Sequence, residues 1–344
     1  MKPAADSPAT PVTLPIHRRA RRRLLQAAGG AALLALAAPR TFAQAPMRVR
    51  VGYIADFHGC SMVAVANKLE LWKKHRLAPE IKSFTNGPIQ IQALGAGDLD
   101  FGYIGPGALW LPMTGRAKIV AMNVVGFSDR VIAQPGIKTL QDLKGKTVAV
   151  PEGTSGDMLL RLALAKAGMK LEDVKRVTMD PATVVTAFAS GQVQGAGIWY
   201  PHVATLKGRV PDLVELFGNK DALPKNSFPS SFVMRNELDA PAGAPLVDAM
   251  IKVIKEANDW RKANLAQAVD AAAALIGAPR ASLETESGYA QYYTSAELSK
   301  LSTDGTVASW LSGMNEMFRT FNRVPEMVDP ARYYLGARYA AVTP

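Results

Sequence analysis

The sequence predicts an α/β protein built as two successive blocks, with a mostly parallel sheet in each and a largely helical region at the C-terminal end. Three observations predict it. Short runs with period-two hydrophobicity alternate with runs of helical period. That alternation stops near residue 134 and restarts at Lys146. From Pro241 onward the pattern is mainly helical.

In the first block, Arg48–Ile54 alternates polar and apolar side chains as a strand does. Ser61–His75 reads as an amphipathic helix with Ser61 as N-cap. Glu80–Phe84 reads as a strand. Pro88 opens a helix that ends near Gly95 and Gly97, with proline early and glycine late. Asp100–Ile104 and Lys118–Val125 are further strands, separated by Gly105-Pro106-Gly107 and an apolar helical run to Met113. In the second block, Lys146–Val150, Val174–Met179 and Ala196–Trp199 read as strands. Asp157–Ala167 and Pro181–Ser190 read as helices. Gln134-Pro135-Gly136 is the expected crossover between blocks and Phe228-Pro229-Ser230-Ser231 the return. Helices are expected near Pro245–Asn264, Leu265–Ile276 and Val307–Asn322.

The first 45 residues read as an export signal. Arg18, Arg19, Arg21, Arg22 and Arg23 form a basic region, the apolar run Leu24–Ala38 follows, and Ala43-Gln44-Ala45 has the small-x-small form of a cleavage site. Cleavage after Ala45 faces Pro46, and cleavage after Ala43 competes with it. The apolar run is shorter than the roughly 20 residues that span a bilayer. Arg21-Arg22-Arg23-Leu24-Leu25 resembles a twin-arginine signal. Processing removes seven of the 40 Lys and Arg and one of the 29 Asp and Glu, leaving 33 against 28, a net +5. The full chain's basic character therefore argues little for nucleic acid, and no dense Lys/Arg stripe with interleaved aromatics is present. Cys60 is the single cysteine, which excludes an intrachain disulfide and a cysteine-based metal site. No Gly-x-Ser-x-Gly elbow, His-Glu-x-x-His helix or phosphate loop is found.

Several segments together resemble the nitrate/sulfonate/taurine-type substrate-binding proteins of ABC importers. They are Leu71-Trp72-Lys73-Lys74-His75-Arg76-Leu77, Ala93–Gly102, Leu140–Val150, Ser190–Gly195 and Trp199-Tyr200-Pro201. The resemblance covers roughly residues 48–235. Gln194 and Tyr200 stand where that family often carries acids, which disfavours a taurine-like zwitterion. The resemblance implies a two-lobed periplasmic-binding-protein fold of type II-like form. Lobe 1 would comprise 46–132 plus 232–344 and lobe 2 residues 137–228, with hinge strands near 131–137 and 227–232. It implies a monomer that captures a small, anionic molecule, a sulfonate or carboxylate, and hands it to an ABC permease and its ATPase in the periplasm. No cofactor, metal or catalytic residue is expected. A ligand-sensing subunit of a membrane receptor is the alternative, and an enzyme of the thiamine-pyrimidine synthase-like branch a weaker one, since that branch carries a cysteine-rich motif absent here.

Ligands of open α/β sheets lie beyond the C-terminal strand ends, where helix N–H groups and the helix dipole favour negative charge. Three strand-to-helix loops have suitable composition: Thr85-Asn86-Gly87, Gly105-Pro106 and Thr154-Ser155, although the same residues are ordinary turn and cap formers. The first loop adds Asp56, Phe57 and His58, with Asp56 either taking an amine or capping the turn. Trp199 and Tyr200 offer apolar area with a polar tip. Ser230 lies at the return crossing, as a contact or a hinge residue. His58 lacks a second His or Cys at metal-ligand spacing.

Overall fold

The computed structural model describes residues 45–223 and 227–344. The export-signal assignment falls outside the described residues except for Ala45.

Two sheets organise the chain from Pro46 onward. The first has strand order β11-β4-β10-β3-β1-β2, with β1 Met47–Ile54, β2 Leu77–Phe84, β3 Phe101–Ile104, β4 Lys118–Gly126, β10 Pro229–Met234 and β11 Ala290–Tyr292. The second has order β7-β6-β8-β5-β9, with β5 Asp129–Ala133, β6 Thr147–Val150, β7 Lys175–Thr178, β8 Gly195–Trp199 and β9 Val214–Gly218. Both sheets are mixed rather than mostly parallel. β1 pairs in parallel with β2 and β3, and β6 with β7 and β8, whereas β10, β11 and β5 run antiparallel to their neighbours. The antiparallel strands are those on either side of each passage between sheets, plus the late-added β11. Each crossing brings the chain in opposite to the βαβ direction.

The chain leaves the first sheet at Phe127-Ser128, upstream of the expected 131–137. Asp129–Ala133 is already hydrogen-bonded to β8 and β9, so 129–132 belong to lobe 2 by their pairing. Gln134-Pro135-Gly136 is a turn within the second sheet, where Gly136 has φ +93°. The return runs between β9 and β10, after a 3-10 turn Asn219–Ala222. The two passages touch, since Gly126 N donates to Phe228 O at 2.9 Å.

The first helix, α1, spans Phe57–Lys68 with Asp56 as N-cap, not Ser61–His75. The run Phe57–Ala66 is buried along its whole length, so no polar face marks the start of the helix. A fully buried helix shows no amphipathic boundary, and the cap residue alone signals where it begins. Helix α2 (Gly87–Gly95) starts at Asn86, whose Oδ1 accepts from Ile89 N at 3.1 Å. Helix α3 (Ser155–Lys166) starts at Thr154. The C-terminal helices α4 (Ala244–Ala263), α5 (Leu265–Ile276) and α6 (Arg280–Ser287) pack on α1 and extend the core of lobe 1. Among the described residues no helix is long and apolar enough to cross a membrane.

Candidate functional site

The first strand-to-helix turn is fixed by two carboxylates. Asp56 Oδ1 accepts from Gly59 N at 2.7 Å. Glu286, on α6 and 229 residues away, accepts from Phe57 N at 2.8 Å and from His58 N at 3.2 Å. The N-terminal amides of α1 are thereby taken by the protein's own acids. In lobe 2 the turn before α3 is also tied to itself, with Gly153 N donating to Asp157 Oδ2 at 3.2 Å and Thr154 Oγ1 to Pro151 O at 2.6 Å. These are donors that an oxyanion would have needed.

Across the gap, Trp199 Nε1 of β8 donates to Asp56 Oδ2 at 3.0 Å. The two lobes also meet at Gly107, which packs against the backbone of Thr154 and Ser155. Further out, Arg323 reaches over to Asp157 at 3.0 Å and Glu152 at 3.1 Å. Between these contacts lies a cavity of about 40 Å³, room for about three water molecules at one per 10–15 Å³. It sits at the C-terminal ends of β1, β3 and β8, with the starts of α1, α2 and α3 around it.

Of the residues singled out in the sequence, Asp56, His58, Asn86, Gly87, Gly105, Pro106, Thr154, Ser155, Trp199 and Ser230 line this cavity. Three do not. Phe57 is fully buried behind the turn, in edge contact with Tyr292. Thr85 faces solvent. Tyr200 points away from the cleft, with its hydroxyl on Glu215 at 3.2 Å and its ring 4.8 Å from that of Tyr289. Neighbours on a turn point opposite ways, which places Asp56 and Trp199 in the cleft and Phe57 and Tyr200 outside it. Cys60 is buried in the core of lobe 1 and is not part of the lining.

The sequence did not single out Tyr103, Ser128, Asp129 and Glu286, which also line the cavity. Asp129 Oδ2 accepts from Asn219 Nδ2 at 2.9 Å, and Ser155 supplies a further hydrogen bond. Its position one residue past a crossing could have marked it, once that crossing was placed correctly. Glu286 had no such signal, because it lies on a polar helix far along the chain. No Lys or Arg is among the lining residues. Arg261 lies fully buried behind the wall, donating to Ser61 Oγ at 2.8 Å.

Burial dominates the electrostatics. It pushes Asp56 up to about 7 and raises Asp129 and Glu286, with repulsion from Asp129 adding to both Asp56 and Glu286 and from Asp56 to Glu286. Burial lowers His58 to about 3 and His202 to about 4, so both are neutral in the fold. A histidine held neutral favours folding more as pH rises towards 6.5, whereas an acid held protonated favours it less. Between pH 6.5 and 8 the unfolded-state histidines give up their remaining protons, a gain that opposes the loss from the acids. We expect ligand-free protein to lose about 1 kcal/mol between pH 6.5 and 8 through Asp56 alone. Urea melts of the wild type and of Asp56→Asn at the two pH values check this, because the histidine gain is common to both, and the same change with pH in both would contradict it.

Comparison with known proteins agrees with this architecture. A family model described as NMT1/THI5 like matches residues 60–268. A binding protein of Brucella abortus (strain 2308) is 58% identical over 293 residues, covering 85% of this chain and 92% of its own. An aliphatic sulfonates-binding protein of Escherichia coli (strain K12) is 29% identical over 263 residues, covering 72% of this chain and 79% of its own. Among solved structures, the alkanesulfonate-binding protein of Xanthomonas axonopodis pv. citri bound to MOPS superposes with a TM-score of 0.68 at 23% identity, over 85% of this chain and 99% of that one. The periplasmic nitrate-binding protein of Synechocystis PCC 6803 gives 0.71 at 13% identity, over 86% and 87%. The chain belongs to the NMT1/THI5-like family and has the two-lobed periplasmic-binding-protein fold.

Proposed function

We propose that this chain is a periplasmic solute receptor that encloses one small molecule between its lobes and delivers it to an ABC permease and its ATPase. The observation that carries the reading is the cavity itself: both lobes wall it, and they touch each other directly beside it. A ligand that binds the closed form better than the open one shifts the population towards closure, which is the signal a permease reads. The chain passages at Phe127-Ser128 and 219–228 are the short segments that would bend. Relatives named as binding proteins support receptor work over catalysis, and one chain completes the cavity, consistent with a monomer. The resemblance suggested an anionic cargo. The lining favours the opposite sign, because three acids and no Lys or Arg face the cavity.

The test is to purify mature protein from its own periplasm, denature it and identify what is released by mass spectrometry. The expected result is one solute in near-equal molar amount to protein. Absence of any solute enriched over the protein-free fraction would remove the basis for the reading.

A further inference from the structure

Three buried acids stand out in the cleft. Asp56, Asp129 and Glu286 are each at least 95% buried and all face one cavity. The hydroxyl protons of Thr154 and Ser230 are directed away, to the carbonyls of Pro151 and Val124.

A second observation is independent of the acids. His58 is 4% exposed and lines the cavity, and its Nε2 has no hydrogen-bond partner. Its Nδ1 lies 3.3 Å from Glu286 Oε1. When Glu286 is ionised, the proton on Nδ1 faces it and the Nε2 lone pair is an acceptor with nothing to accept. A buried polar atom without a partner is costly, on the order of 1–3 kcal/mol. A ligand N–H would satisfy it.

Charge points the same way. Three acids share the wall with no Lys or Arg beside them; burial disfavours their ionised form in the empty cleft, and an entering cation would favour it. Arg261 lies behind, committed to Ser61, with Asn123 O 3.5 Å away. The Nη1 of Arg130, the cation nearest Asp129, is bound to the backbone carbonyls of Phe127 and Asp129. Among the described residues, no group of three or more His, Cys, Asp or Glu side chains is close enough together to hold a metal ion. Acids spread around a cavity suit a cation with several separated donors better than a single ion.

We propose that the cargo is a small organic cation whose charge is carried on N–H groups, an alkylammonium, amidinium or guanidinium, and not an oxyanion. This rests on the receptor reading above. The N–H groups reach the carboxylates of Asp56 and Asp129 on the two lobes and the Nε2 of His58, and so tie the lobes together in the closed state. An oxyanion would instead face three acids across a space free of cations.

The experiment uses mature protein stripped of ligand by unfolding and refolding. Melting temperature is followed at pH 8 with methylammonium, acetamidinium and methylguanidinium, and separately with methanesulfonate, acetate and nitrate, at constant ionic strength. The expected result is a saturable rise with at least one of the three cations and none with the anions. Asp129→Asn should weaken that cation's binding at least tenfold. Its ligand-free melting temperature should hold or rise at pH 8, because a buried charge has been removed. Unchanged cation affinity in that variant overturns the proposal, as does a saturable response to an anion, or to none of the six. A response to an anion leaves the receptor reading standing. Only failure to recover any solute from natively purified protein removes both.

Discussion

A single methyl group at position 107 is expected to hold the lobes apart and weaken ligand capture by roughly 10- to 100-fold, the equivalent of an overpacking cost of about 1–3 kcal/mol. A Cβ built on Gly107 would lie 2.1 Å from Ser155 N and from Thr154 C, and 2.3 Å from Thr154 O. These are backbone atoms of the opposite lobe, at the start of α3, so no side chain can swing aside. Relief requires the lobes to part by more than 1 Å, which would also stretch the 3.0 Å Trp199–Asp56 contact. In an open form the methyl group would meet nothing from lobe 2. Gly107→Ala should therefore keep the ligand-free melting temperature within a few degrees while affinity falls. Calorimetry with the natively bound solute, once identified, measures the affinity, and small-angle scattering measures the compaction that ligand should no longer cause. Wild-type affinity in this variant would mean that capture does not need the closure seen here.

Gly156→Ala should act on folding rather than capture. The Cβ would sit 2.2 Å from Gly197 O and 2.6 Å from Gly197 C, atoms of β8 in the same lobe. Gly156 and Gly197 face one another, each leaving the room that the other's backbone fills, so the start of α3 lies directly on the sheet. There is no open state in which that contact disappears. The substitution must lift α3 from β8 and is expected to destabilise the protein by about 3 kcal/mol. A urea midpoint within error of wild type would contradict this. The contrast between the two glycines separates a contact between lobes from a contact within one.

Much of the site was legible because strand-to-helix turns use few residue types. Asn86, Gly87, Gly105, Pro106, Thr154 and Ser155 were found from turn chemistry alone, and all line the cavity. The same composition carried no information on side-chain direction. Thr85 shares the first of those turns, and Phe57 and Tyr200 lie at two other strand ends, yet they face solvent, the core and Glu215 respectively. The start of α1 was misread because its buried length has no polar face to mark a boundary.

The expected sign of the cargo rested on free helix amides. Helix starts predict a positive end, and that rule holds for amides left free. Here the amides of Phe57, His58 and Gly59 are filled by Glu286 and Asp56, so the start of α1 has none of them to offer.

The sequence by itself determined the alternation of elements, the two α/β blocks and the turns that face the cleft, because hydrophobic period and turn chemistry are local. Only the tertiary structure decided where the chain changes sheets, which side chains point inward and what charge the cavity presents. Glu286 enters the first turn from 229 residues away, and Asp129 joins the wall through pairing with strands that lie later in the chain. Such contacts are set by packing between distant segments, and no local pattern records them.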